Sequence, residues 1–324
     1  MPLLSKADRK ERGRSVILFV TSGRMKFSVV IPTYNNKEEL LGCLHGFSAV
    51  EGPDFEVHVC VDGSTDGTGA ALENLSLNYP LKVHFHPERV NRGRSATRNL
   101  ALASLLGEYT LFLDSDMIPE TDFLQKHLEV LDMGNTVSIG AISYLNEAEN
   151  LWARYTSERG VGKFDQGGEV PFNYFITANT AIPSSYFRET GGFDEAIRHY
   201  GGEDMELGYR IHLKYQPRFI YNPASRVATV QPKTLETALG QLYEYGATGL
   251  RYITQKHPGL RHIYWVEKCD SKALKDRFFE ALTQPFYCKM AKGLLKISPY
   301  FIKKTLINYL VISHVHQGFR SSRP

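Results

Sequence analysis

The sequence predicts an α/β fold with a mostly parallel sheet, followed by a helical C-terminal region. Short apolar, β-branched runs recur at Phe27–Ile31, Phe55–Val61, Leu81–His86 and Tyr109–Leu113, as expected of strands buried on both faces. Helical patterns alternate with them, from Asn36 to about Val50, at Gly69–Leu77 and at Ser95–Leu106, which implies βαβ units. From Pro232 onward the pattern is helical only.

Each element has a local cause. Pro32 is expected to end the first strand, and Leu40, Leu41, Leu44 and Phe47 then fall at helical spacing. The run Asp62-Gly63-Ser64-Thr65-Asp66-Gly67 is dense in turn residues. After the fourth strand the spacing predicts a helix over Pro119–Leu131, a strand over Thr136–Tyr144 and an irregular, Gly-rich stretch over 145–172. Phe175–Ile182 is apolar again, Glu203–Tyr215 reads as a helix and Arg218–Tyr221 as a short strand. The C-terminal helices are expected near 233–256, 271–297 and 299–318, with Pro258, Pro285 and Pro299 as breaks. In such sheets ligands bind beyond the carboxyl ends of the strands. The turns Thr33–Asn36, Asp62–Asp66 and Asp114–Asp116 are therefore expected to converge on one crevice.

The chain has 324 residues, 42% hydrophobic and 23% charged, which excludes a disordered, collagenous or disulfide-scaffold protein. Cys43, Cys60, Cys269 and Cys288 show no metal-binding spacing and are read as reduced thiols of a cytoplasmic protein. No apolar run reaches the roughly 20 residues of a membrane span. The net charge of +3 hides an asymmetry: residues 1–26 carry +5 and residues 281–324 carry +7, which leaves −9 for the middle. An acidic middle argues against nucleic acid. The basic tail, interleaved with Leu294, Leu295, Ile297, Phe301, Ile302, Leu306, Leu310 and Val311, suits peripheral contact with an anionic membrane, on the inner face. Packing of that tail on the main domain is the alternative. Met25 looks like a natural start, so residues 1–25 are expected to be a dispensable basic extension, with a main domain over 26–230 and a helical region over 231–324.

Three acidic motifs stand out. Asp114-Ser115-Asp116 follows a strand, where two carboxylates suit a hard divalent cation; a helix-capping turn is the plainer explanation. Asp62 sits where an Asx-turn would also occur. Gly201-Gly202-Glu203-Asp204 opens a helix, where acids complement the macrodipole and also offer a general base. His84-x-His86 puts two rings on one strand face and reads as a surface or cross-strand pair.

Taken together these motifs match a known order. The segments VVIPTYNN (Val29–Asn36), VDGSTDGT around Asp62, NRGRSATRN (Asn91–Asn99), GEYTLFLDSD (Gly107–Asp116) and GGFDEAIRHYGGEDMELGYRIH (Gly191–His212) resemble family 2 glycosyltransferases of the GT-A fold, over roughly residues 26–260. The resemblance implies an inverting transfer of a sugar from a nucleotide-diphosphate sugar, a UDP-sugar first among them, to a hydroxyl of a glycan or lipid-linked acceptor in surface glycan or polysaccharide synthesis. It implies a Mn²⁺ or Mg²⁺ ion. By resemblance, Pro32 and Tyr34 wall the base, Asp62 reads its edge, and Arg98 faces the nucleotide. Asp116 and Asp114, with Ser115 between them, hold the metal and ribose, Asp116 directly on the metal. Asp204 is the catalytic base, Glu203 its neighbour shaping the acceptor site, and Thr177 and Asn179 line the sugar pocket. Gln231 stands near the place of a histidine that many relatives use on metal or diphosphate. A sugar nucleotidyltransferase would need a Gly-rich basic loop after the first strand, which VVIPTYNN lacks; an inactive nucleotide-sugar binder is opposed by the retained Asp62, Asp116 and Asp204.

Overall fold

The computed structural model describes residues 25–321, apart from 165, 264–265, 271–272 and 274–279. The extension over 1–24 and part of the helix expected near 271–297 lie outside the described residues. Strands β1 (Phe27–Thr33), β2 (Phe55–Val61), β3 (Leu81–Phe85), β4 (Tyr109–Leu113), β5 (Ile118–Pro119), β6 (Thr136–Tyr144), β7 (Gly168–Val170), β8 (Asn179–Pro183) and β9 (Arg218–Thr229) form one sheet. Its order is β3-β2-β1-β4-β8-β6-β9-β5, with β7 beside β9. The β3-β2-β1-β4 half is parallel throughout, as the alternating pattern requires.

Beyond β4 the sheet is mixed. β8 runs antiparallel to both β4 and β6, while β6 and β9 are parallel. Pro32 does not end β1, which continues to Thr33; helix α1 (Lys37–Phe47) follows. Helices α2 (Thr68–Glu73) and α3 (Arg94–Asn99) are shorter than their patterns. The start of the expected 119–131 helix is strand β5, and α4 occupies Phe123–Leu131. The stretch 145–172, read as irregular, contains α5 (Leu151–Ser157), capped by the Asn150 side chain accepting from Trp152 and Ala153 N–H, and β7. Helix α6 (Ser184–Glu189) follows β8, and α7 spans Glu203–Tyr215 as expected.

Alternate residues of the central strands feed two cores. Val29, Ile31, Leu111 and Leu113 pack under α1 and α4, whereas Val30, Phe112 and Ile139 face Phe187, Leu207 and Ile211. The helical region begins with α8 (Leu235–Tyr245), a wide turn at Gly246–Leu250, and α9 (Arg251–Lys256). Then come α10 (Glu267–Asp270), α11 (Pro285–Leu295) and α12 (Tyr300–Ser321). It shares cores with the α/β part: Leu250, Ile253 and Phe319 cluster with Ile197, and Leu239, Leu295, Leu310 and Val311 with Tyr155. Among the described residues no helix is long and apolar enough to cross a membrane. Cys43, Cys60 and Cys288 are buried free thiols.

Candidate active site

Because β1 pairs in parallel with both β2 and β4, the carboxyl ends of the three strands open on the same edge. The turns that follow are laced together there. The Asp62 N–H donates to the Thr33 carbonyl (2.9 Å), Asn36 Nδ2 to Ser115 Oγ (3.0 Å), and Thr65 N–H to Asn35 Oδ1 (2.7 Å). The result is a polar crevice of about 560 Å³ lined by Pro32, Tyr34, Asp62, Arg98, Asp114, Ser115 and Asp116, all seven residues expected on the donor side.

Several of these side chains are already engaged. Asp62 is buried, and its two oxygens accept from the backbone N–H of Arg92 (2.7 Å) and Gly93 (3.1 Å), which ties down the 91–93 loop. Gly63, at φ 70°, lets that loop pass so close that a Cβ would strike the Val90–Asn91 backbone. Arg98 is buried rather than free in the crevice: Nη2 donates to Asp114 Oδ1 at 3.0 Å, and Nη1 lies 3.8 Å from Glu203 Oε1. One guanidinium thus joins the Asp114–Asp116 turn to the head of α7.

At that head, Glu203 is buried, and burial reinforced by the Asp204 charge raises its carboxyl above the usual range, against the pull of Arg98 and Arg94. Asp204 Oδ1 accepts from the Thr177 hydroxyl (2.6 Å) and Oδ2 from the Thr177 N–H (3.3 Å). Thr177, itself buried, therefore stands beside Asp204, and neither side chain is among those that line the crevice. Asn179 does not line the crevice. It is fully buried, accepts from His127 Nε2 (2.9 Å), and donates to the carbonyls of Ala141 and Ser225 (3.1 Å each). Its whole amide is spent joining strands, so its expected sugar-pocket role is withdrawn.

Burial, reinforced by the Asp114 charge, holds the Asp116 carboxyl above its ordinary range; its side-chain donor is Thr229 Oγ1 at 3.2 Å. Two adjacent carboxylates, one desolvated and one paired with Arg98, form a like-charge pair that a hard cation relieves, so the residues fit a divalent metal. Among the described residues no third carboxylate, His or Cys joins them, so further ligands would come from the donor and water.

Single-sequence reading missed the cations facing this turn. Arg94 stacks over Tyr200 (5.1 Å), and Lys233 stacks over the same ring (5.0 Å), both lining the crevice. Burial, with Arg94 adding to it, lowers the Lys233 ammonium below its usual range, while Asp114 and Asp116 oppose the shift. Arg94 lay within a quoted motif and could have been found there; Lys233 has no spacing signal. Gln231 is turned away, its Oε1 accepting the Lys233 N–H (3.2 Å), so Lys233 rather than Gln231 faces the site from this segment. His84 forms a cross-strand stack with buried His58, Nδ1 to Nε2 2.9 Å, as the pair reading expected.

A second cavity, of about 1020 Å³, lies between the sheet and the C-terminal helices. Ile176 and Met205, the chain neighbours of Thr177 and Asp204, line it, with Tyr144, Trp152, Tyr155 and Phe172. Tyr144, in the wall of this cavity, is raised above its usual range chiefly by burial.

A helix-flanked sheet with acids and cations gathered at its carboxyl edge defines an α/β protein with a charged crevice, and comparison gives the family. Residues 28–191 match the profile described as Glycosyl transferase family 2, and residues 163–227 one described as the N-terminal domain of galactosyltransferase. The chain belongs to glycosyl transferase family 2. The uncharacterized glycosyltransferase YfnE of Bacillus subtilis is 29% identical over 58% of this chain and 60% of its own length. Chondroitin synthase of Escherichia coli is 27% identical over 57% of this chain and 32% of its own. The chain therefore spans less than two thirds of these relatives. The mannosyltransferase PcManGT of Pyrobaculum calidifontis, solved with GDP-Man and Mn²⁺, superposes with a TM-score of 0.60 at 18% identity, covering 91% of this chain and 88% of that one. That likeness shows the fold, the GT-A architecture with its helical C-terminal region.

Proposed function

We propose that the chain is an inverting glycosyltransferase that binds a nucleotide-diphosphate sugar in the crevice and takes its acceptor from the second cavity. The single observation that carries this is the bridge Asp114–Arg98–Glu203, which ties the paired carboxylates to the head of α7, where Asp204 follows Glu203 in the chain. Pro32 and Tyr34 flank the base, and Asp62 acts by fixing the 91–93 loop against it. Asp116, with Asp114, would hold Mn²⁺ or Mg²⁺. Such an ion offsets charge developing on a departing diphosphate. Arg94 and Lys233 add fixed positive charge on the facing wall.

Asp204 is assigned as the general base. It takes the proton of an acceptor hydroxyl while that oxygen bonds to the anomeric carbon; the bond from that carbon to the diphosphate oxygen breaks, and the leaving group keeps its electrons. A retaining double displacement needs a nucleophilic carboxylate on the sugar. Glu203, the nearest candidate, is buried against Arg98. A UDP-sugar is the first donor to test, and GDP-Man, the ligand of PcManGT, the second. The relation to chondroitin synthase supports a glycan acceptor in polysaccharide synthesis.

A thermal-shift screen of UDP- and GDP-sugars with Mn²⁺, Mg²⁺ or a chelator tests the donor assignment. A ligand at a hundred times its dissociation constant adds about 2.7 kcal/mol of stability. One nucleotide sugar should raise the melting point with metal, less with chelator, and not in Asp116→Asn. No shift from any of them overturns the assignment. Binding without turnover of any acceptor or water would instead indicate an inactive nucleotide-sugar binder.

A further inference from the structure

The basic C-terminal segment divides into two sets of apolar side chains. Leu295, Ile307, Leu310 and Val311 are buried in the core with Leu239 and Tyr155. A second set is left bare on α11, the link that follows it and the start of α12: Phe286 (66% exposed), Met290 (52%), Leu294 (47%), Ile297 (82%) and Phe301 (73%). Phe286, Met290 and Leu294 recur every fourth residue, opposite the buried Cys288, Ala291 and Leu295. Burial on one stripe of α11 therefore leaves a second apolar stripe unused. Exposed large hydrophobics concentrated in this way mark an interaction surface.

Charge identifies what the surface fits. Residues 281–324 contain no acid. The acids that meet this segment are each paired: Glu236 with Lys292 (2.8 Å), Glu158 with Lys304 (2.9 Å), and Glu280 with Arg320 (3.8 Å). Among the described residues Lys289, Lys296 and Lys303 have no acidic partner, and they border the bare stripe. Aromatic and aliphatic side chains flanked by unpaired lysines form the pattern of a helix lying in a lipid interface, apolar groups in the acyl boundary and ammonium groups among anionic headgroups. A second copy of this chain would bring the same lysines together, like charge on like, and fits less well.

We propose that the outer face of α11 and the start of α12 docks this protein onto an anionic bilayer surface. The helix that carries the docking face also walls the second cavity, through Lys304 and Asn308, so a docked molecule holds that cavity close to the lipid plane.

Vesicle sedimentation of the full chain tests this, with phosphatidylcholine alone and with added phosphatidylglycerol. Wild type should pellet with the anionic vesicles at low salt, much less at high salt, and little with the neutral ones. Lys289→Gln, Lys296→Gln and Lys303→Gln combined should weaken partition on the order of a hundredfold. Phe286→Ser with Met290→Ser and Ile297→Ser should weaken it comparably, with melting point and nucleotide-sugar binding retained. Failure to pellet with anionic vesicles overturns the proposal, as does binding that neither set of changes alters. A dimer in sedimentation velocity that the serine variants dissolve, with no vesicle binding, would assign the face to a second copy and equally overturn it.

Discussion

Arg98 is the residue on which the site turns. Its side chain is 3% exposed, and its charge is shared between Asp114 at 3.0 Å and Glu203 at 3.8 Å. Removing Arg98 strands the buried Glu203, while Asp114, its side chain 39% exposed, stays partly solvated, so the cost falls towards the low end of the about 3–5 kcal/mol of a fully buried pair. Arg98→Ala should lose roughly that much stability to urea, and Glu203→Gln added to it should recover part of the loss. An additive double variant would show that the two do not interact. Glu56 offers a second test, away from the crevice. Burial raises its carboxyl, but hydrogen bonds from His58, Lys82, Ser28 and the Leu106 N–H outweigh that and bring it down to about 2. A folded-state value below the ordinary 4.5 contributes stability that is present above pH 4.5 and is lost as pH falls towards 2. The shift corresponds to roughly 3 kcal/mol. The stability gap between wild type and Glu56→Gln should therefore be full at neutral pH and close as the pH is lowered; a gap independent of pH would refute the assigned charge.

At the scale of elements, the head of α7, which carries the proposed base Asp204, is positioned by close backbone contacts. Gly249, in the wide turn between α8 and α9, lies against the Gly201 carbonyl so tightly that a Cβ there would collide with it. Gly318 on α12 meets the Tyr243 carbonyl in the same way. Gly249→Ala must push the Gly201–Gly202 turn, and with it the head of α7, so turnover should fall with little loss of donor affinity; unchanged turnover would show that the turn yields freely. What was legible in the sequence follows the strength of local pattern. Glu203–Tyr215 and Thr136–Tyr144 match their expected limits, because periodicity and flanking turn residues agree there. The long strand β9 was read only as Arg218–Tyr221, because Asn222-Pro223 looks like a turn. The structure carries the strand past it where the β6–β9 register slips at Gly140/Ala141. The residues that line the crevice were legible because five motifs fall in order. Lys233 and the burial of Asn179 were not, because a lone lysine carries no spacing signal and a strand asparagine does not reveal which carbonyls it will meet.

At the scale of the molecule, the acidic middle and the basic tail have separate tasks. The sheet edge gathers carboxylates and a few fixed cations around the crevice, where the proposed donor would sit, while the C-terminal helices wall the second cavity and carry outward lysines that have no acidic partner among the described residues. On the proposed reading, donor binding falls to the Asp114–Asp116 turn and proton removal to Asp204 at the head of α7, two elements joined through Arg98. Asp204→Asn tests it most directly. Asn keeps the size and much of the hydrogen bonding to Thr177, and Asp204 lies inside the first turn of α7, whose N-cap is Gly202, so fold and melting point should change little. It cannot take a proton, and a positioned general base contributes about 10²–10⁴ in rate. Turnover and calorimetric donor affinity, measured side by side with metal present, should show a loss of that size in the first and almost none in the second. Turnover within a few-fold of wild type would contradict the account and remove Asp204 as the base.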